Sequence, residues 1–205
     1  MQIGNLFLVS APSGAGKTSI VNAALVADSQ LVVSVSHTTR TARGGEVNGE
    51  NYHFVRDEEF TQMIEAGSFI EHANVFGKRY GTSKAEVESK RGMGHDVILE
   101  IDWQGAEQVR ASMPEAISVF VLPPSYEELA ARLTARGEDS AESIEKRLSE
   151  AKLDMSHAVH FDYLVINAEF DQAVATFASI VRAARSARAM QLQNPSVKAL
   201  VEASD

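Results

Sequence analysis

Short apolar runs alternate with amphipathic stretches along most of this chain. Leu6-Phe7-Leu8-Val9, Leu31-Val32-Val33, Val97-Ile98-Leu99, Ile117-Ser118-Val119-Phe120-Val121 and Tyr163-Leu164-Val165-Ile166 are almost free of polar residues. Continuous runs of that kind mark strands buried on both faces, as in a parallel sheet. Between them lie helical patterns: one follows Thr18, a short one covers 106–111, and the last sets Val174, Phe177, Ile180 and Val181 on one face. This alternation predicts an α/β fold, a doubly wound parallel sheet assembled from residues 1–35, 93–124 and 158–193.

Two stretches break the rhythm. Residues 36–92 carry short alternating segments such as Tyr52-His53-Phe54-Val55, several glycines and two short helical patterns. One helix runs from near Asp57 to Gly67; the other follows Ser83, where Ser83 and Glu86 have capping-box spacing. This piece reads as an α+β insert. Residues 125–157 read as two helices, the first capped at Ser125 and stopped at Gly137, the second capped at Asp139. Both inserts would project from the C-terminal edge of the sheet, where ligands bind in such folds. Residues 194–205 read as a frayed, flexible tail.

Candidate chemistry sits directly after the first apolar run. Ala11-Pro12-Ser13-Gly14-Ala15-Gly16-Lys17-Thr18 joins that strand to the first helix, which is the layout of a phosphate-binding loop. Backbone N–H groups of such a loop converge with a helix N-terminus on an anion. Gly14 and Gly16 let the backbone approach phosphate oxygens without a Cβ in the way. Lys17 brings positive charge to the terminal phosphates, and Thr18 offers a hydroxyl ligand for Mg²⁺. Ala11 stands where the full pattern has glycine; it precedes Pro12, so it should be extended, which alanine tolerates.

Composition narrows the setting. The 205 residues suit one domain with inserts, and 44% hydrophobic with 23% charged residues is ordinary globular material. A formal charge of −9 argues against a nucleic-acid surface, so an anionic small substrate needs a local cationic pocket. The cysteine count of zero excludes disulfides and thiolate chemistry and fits a reducing, cytoplasmic setting. The N-terminal apolar run is too short for a membrane span. The six histidines show no metal-ligand spacing and are expected to be structural or at the surface; Trp103 is expected to pack.

A second constellation follows the second strand. Arg40 and Arg43, in a turn rich in glycine and threonine, are placed to grip one phosphate bidentately, or form a solvated basic loop. Read alone, Glu71 is as well a surface carboxylate on an edge strand. Tyr52 and Tyr80 are as well half-buried sheet aromatics. Glu100 and Asp102 close the strand beside the phosphate loop, where carboxylates orient Mg²⁺ through water, hold substrate, or simply end a strand. Arg132 shares a helix face with both Glu128 and Arg136.

Taken in order, the phosphate loop, Ser36-His37-Thr38-Thr39-Arg40 through Arg43 to Gly45-Glu46, Gly49 through Tyr52 to Val55, Phe69-Ile70-Glu71, Tyr80-Gly81-Thr82-Ser83 and Glu100-Ile101-Asp102-Trp103-Gln104-Gly105 resemble the guanylate kinases, over roughly residues 5–185. Arg136-Gly137 and Glu145-Lys146-Arg147-Leu148 extend the resemblance. It implies a kinase that moves the γ-phosphoryl of ATP to GMP, and to dGMP, with Mg²⁺ as cofactor. It further implies that 36–92 binds GMP and 125–157 is a lid. Glu71 would then read the guanine N–H groups, with Ser36 and Thr82 on the O6 and N7 side. Arg40, Arg43, Tyr52 and Tyr80 would hold the GMP phosphate, and Glu100 and Asp102 would complete that pocket. Arg136 and Arg147 would close on the ATP phosphates, and Asn167 would lie near the adenine. Rival readings are a catalytically dead interaction module, a kinase of a phosphorylated sugar, and a phosphate-loop switch. The intact Lys17 and Thr18 oppose the first. Ser36, Glu71 and Thr82 oppose the second. The third leaves the arginines without a task.

Overall fold

β1 (Leu6–Ser10) is buried throughout and forms the centre of a five-stranded parallel sheet ordered β2-β7-β1-β8-β9. The flanking strands are β7 (Asp96–Glu100) and β8 (Ile117–Leu122), and the outer ones are β2 (Leu31–Val33) and β9 (Tyr163–Ile166). A computed structural model describes residues 2–75, 77–135 and 141–203. The five strands are the five apolar runs, and their pleat divides the core. Phe7 and Val9 face one layer, packing with Ile20 and Val21 of α1 (Lys17–Ala27) and Phe177, Ile180 and Val181 of α7 (Phe170–Arg185). Leu6 and Leu8 face the other, with Val87 of α3 (Lys84–Gly92) and Ala106 and Val109 of α4 (Trp103–Ser112). Helices on both faces explain why the strands carry no polar alternation.

The segment 36–92 forms its own four-stranded sheet, ordered β4-β3-β6-β5. The strands are β3 (His37–Thr38), β4 (His53–Phe54), β5 (Phe69–Val75) and β6 (Lys78–Ser83), and α2 (Asp57–Glu65) precedes β5. α2 is followed by Gly67 at φ +64°, a left-handed position that glycine adopts without strain. Ser83 accepts from the Glu86 N–H at 3.3 Å, as the capping pattern predicts. The Glu86 carboxylate does not return to Ser83. It accepts from the Val35 N–H at 3.1 Å and from Lys90, which also donates to the Val33 carbonyl at 2.8 Å. The helix therefore ties the insert to the end of β2.

β5 is an edge strand, yet α4 covers it. The Gln108 side chain accepts from the His72 N–H at 3.1 Å and donates to the His72 carbonyl at 2.9 Å. One amide side chain thus does for the edge what a neighbouring strand would.

The segment 125–157 contains α5 (Tyr126–Ala135) and α6 (Ala141–Ser156), which share a small core of Leu129, Leu133 and Ala151. Ser125 caps α5, accepting from the Glu128 N–H at 3.1 Å. The expected stop at Gly137 and cap at Asp139 lie outside the described residues. α4 begins three residues earlier than the helix expected over 106–111, because Asp102 caps it by accepting from the Gly105 N–H at 2.8 Å. A 3-10 turn, His157–His160, follows α6, and His157 stacks on Trp103 with ring centroids 3.5 Å apart. The C-terminal stretch departs from the frayed tail expected of it. After α8 (Arg188–Gln191), α9 (Pro195–Glu202) forms with Asn194 as its cap and proline in the first turn, two signals that the short polar stretch conceals.

Candidate active site

The phosphate loop takes the shape its glycines allow. Gly14 and Gly16 have φ of +92° and +93°. A Cβ on Gly14 would stand 3.0 Å from Leu133 and 3.1 Å from Leu129, so α5 packs directly on the loop. Among the described residues no side chain caps α1, and its first turn carries no acidic residue. Its first amides are therefore left for an anion.

Lys17 sits deep in this site. Its Nζ donates to the Ile101 carbonyl at 3.3 Å. Burial pushes its pKa below the ordinary lysine value, while the carboxylates of Glu100, Asp102, Asp154 and Glu71 pull it back up. Thr18 is exposed, and its hydroxyl donates to Glu100 at 2.8 Å. Glu100 thereby faces the loop. Asp102 serves α4 with one oxygen and lies 3.5 Å from Gln104 with the other.

Opposite the loop, Glu71 is only 4% exposed despite its place on an edge strand. It accepts from the Thr82 hydroxyl, which is itself 3.5 Å from the Ser36 hydroxyl. Burial pushes the Glu71 pKa up to about 7, against the lowering effect of Thr82; Asp102 raises it further and Lys17 lowers it. A Cβ on Gly105 would lie 2.7 Å from the second Glu71 oxygen, so the carboxylate rests on the first turn of α4. Glycine at 105 is a site requirement that composition and spacing do not reveal.

Beside this carboxylate pocket, Arg40 donates to both Glu46 oxygens, at 2.9 and 2.8 Å, and lies 5.3 Å from the centroid of the Tyr52 ring. Tyr52 and Tyr80 meet edge to face at 5.9 Å. The Arg40 guanidinium, followed by the Arg43 N–H, holds the Glu46 carboxyl down to about 2. Glu46 thus orients Arg40, a function its place in the motif does not disclose. Arg43 is exposed. Asp154 of α6 is a second group missed in the sequence. Burial, then Asp102 and Glu150, push its carboxyl up to about 6, against the lowering effect of the Trp103 side chain. Arg147 lies half-buried on α6; Arg136 lies outside the described residues. Asn167 donates its side-chain amide to the Ala15 carbonyl at 2.8 Å, so it serves the loop.

A loop for polyphosphate on the central strand, facing a buried carboxylate on an inserted sheet, is the layout of a phosphate-loop nucleoside monophosphate kinase. A family model described as guanylate kinase matches residues 4–184. A guanylate kinase of Hahella chejuensis is 56% identical over 185 residues, covering 90% of this chain and 89% of that one. One from Shewanella sp. strain MR-7 is 54% identical over 190 residues, covering 92% of each. The crystal structure of guanylate kinase from Anaplasma phagocytophilum superposes with a TM-score of 0.79 at 32% identity, covering 97% of this chain and 95% of that one. This chain belongs to the guanylate kinase family.

Proposed function

We propose that this protein transfers the γ-phosphoryl of ATP to GMP, giving ADP and GDP, and accepts dGMP. One observation carries the assignment. The buried Glu71 carboxylate rests against Gly105, and the Lys17 ammonium donates to the carbonyl of Ile101, four residues earlier on the same turn into α4. A guanine reader and a polyphosphate cradle therefore open on one cleft. Guanine offers adjacent N–H donors that a carboxylate can accept, and adenine lacks that pair. Ser36 and Thr82 meet the other edge of the base. Arg40, Arg43, Tyr52 and Tyr80 hold the GMP phosphate, the tyrosines as neutral donors that leave the pocket short of excess charge.

In the reaction an ionised phosphate oxygen of GMP attacks the γ-phosphorus of ATP, and the bond to the β–γ bridging oxygen breaks. The nucleophile is already charged, so no general base is needed. Catalysis is alignment plus neutralisation of charge on the transferred group. Lys17, Arg147 and Arg136 supply positive charge from the protein. The donor set suits Mg²⁺: the Thr18 hydroxyl and Glu100, 2.8 Å apart, would offer hard oxygen ligands, and Asp102 would act through water. Bound there, the ion neutralises phosphate charge. A cytoplasmic setting agrees with the cysteine-free composition.

Incubation with Mg-ATP and each of GMP, dGMP, AMP, UMP and CMP, following ADP release, tests the assignment. ADP should form with GMP and dGMP only. Equal release with AMP or UMP, or none with GMP, would overturn it.

A further inference from the structure

Asn167 lies between β9 and α7, distant in sequence from the phosphate loop yet packed against it. It is 7% exposed. Its backbone is fixed on both sides, the N–H donating to the Leu122 carbonyl at 2.8 Å and the carbonyl accepting from Arg132 Nη2 at 3.1 Å. Arg132 is in turn held by Glu128, its Nε donating at 2.9 Å. From this anchored position Nδ2 donates to the Ala15 carbonyl at 2.8 Å, and it occupies the space a Cβ on Gly16 would need. α5 presses on the same loop through Leu129 and Leu133 at Gly14.

We propose that Asn167 is a positioning residue for the phosphate loop, acting through the Ala15–Gly16 peptide rather than by contact with the nucleotide base. The proposal rests on the assignment of this loop to the ATP phosphates. Glycine at position 16 lets the chain take its left-handed turn, but it also leaves the adjoining peptide with little intrinsic resistance to rotation. A rotated peptide would present a carbonyl dipole to phosphate oxygens, where an N–H is required. Nδ2 removes that freedom by engaging the carbonyl. The anchor points lie on β8 and α5, so the loop is set by the core and by the stem of the second insert together.

Asn167→Ala removes the donor without adding charge, and Asn167→Gln restores an amide. Calorimetric titration with Mg²⁺ and base-free inorganic tripolyphosphate, with Mg-ATP and with GMP, separates the two modes of action. In Asn167→Ala the affinities for tripolyphosphate and ATP should fall by the same factor, and kcat/KM for ATP should drop about 10²-fold, the scale of small misplacements in a catalytic site. GMP affinity should stay within about twofold of wild type, because its pocket stands on the other sheet, and Asn167→Gln should recover part of the loss. Weakened ATP binding with unchanged tripolyphosphate binding would make Asn167 a base contact and overturn the proposal. Unchanged binding of both would overturn it too, as would an equal loss of GMP binding, which marks a general fold defect. Wild-type protein that binds neither polyphosphate would instead refute the assignment of the loop, a separate outcome.

Discussion

The proposed phosphate end of the site is a contiguous run of eight residues, 11–18, whose binding groups are mostly main chain; the proposed guanine end draws Glu71 and Thr82 from two strands of a second sheet and Ser36 from the residue before β3. The contrast follows from what each must recognise. A phosphate presents charge in all directions, and any backbone N–H can meet it. A base edge presents donors at fixed places, so acceptors must be set there individually and then supported. The support comes from the core: α4 brings Gly105 against Glu71, and Gln108 closes the strand on which Glu71 lies. A damaged phosphate end should therefore lose rate, and a damaged guanine end should lose selectivity.

Lys17→Ala gives the sharpest version of that difference. It should lower kcat by about 10³-fold or more, while GMP affinity measured by calorimetry holds. A loss below about tenfold would take the lysine out of the chemistry. Glu71→Gln should do the opposite, lowering the GMP/AMP ratio of kcat/KM by about 10²-fold, the value of two hydrogen bonds to a charged acceptor. Unaltered selectivity would place guanine reading elsewhere.

Titration separates the ends next. Glu71 must be ionised to accept two N–H groups, and its carboxyl titrates at about 7. GMP affinity should rise about tenfold more from pH 6 to pH 8 in wild type than in Glu71→Gln, whose remaining slope is that of the GMP phosphate, which itself ionises at about pH 6. A smaller effect belongs to Gly105→Ala. A methyl group 2.7 Å from the Glu71 oxygen should displace the carboxylate and raise KM for GMP about fivefold, with KM for ATP unmoved. The smallest is on stability. The folded pKa is raised to about 7 from the ordinary 4.5, so the folded protein keeps a proton that the unfolded chain releases. Stability from this group falls as pH rises between those values. Glu71→Gln should accordingly be more stable than wild type at pH 8, on the order of 2 kcal/mol, and equal to it near pH 4, as followed by thermal melting.

The same contrast governs what could be read in the chain. The buried strands announce themselves as unbroken apolar runs, and the phosphate loop is contiguous, so both were legible from local pattern. The pocket around Glu71 was legible only as a series of spaced motifs resembling a family, because nothing near Glu71 in sequence says that α4 will bury it. Gly105 and Glu46 stood inside those motifs without a visible function, since each acts on a residue from another segment or turn. Asn167 was legible as a residue of interest, but its partner is separated from it by most of the chain. α9 was hidden for another reason: one cap and one proline start a helix too short to show periodicity.

α3, α4 and α9 each begin on a side chain that closes the first turn, Ser83, Asp102 and Asn194. α1 begins on bare Gly16, and Asn167 occupies the room a larger residue would need there. A bound polyphosphate supplies what that helix lacks, on the order of the 1 kcal/mol a cap contributes before any other contact is counted. Part of the affinity for nucleotide is thus folding energy, and the melting temperature of this protein inside a cell should track the supply of triphosphate around it.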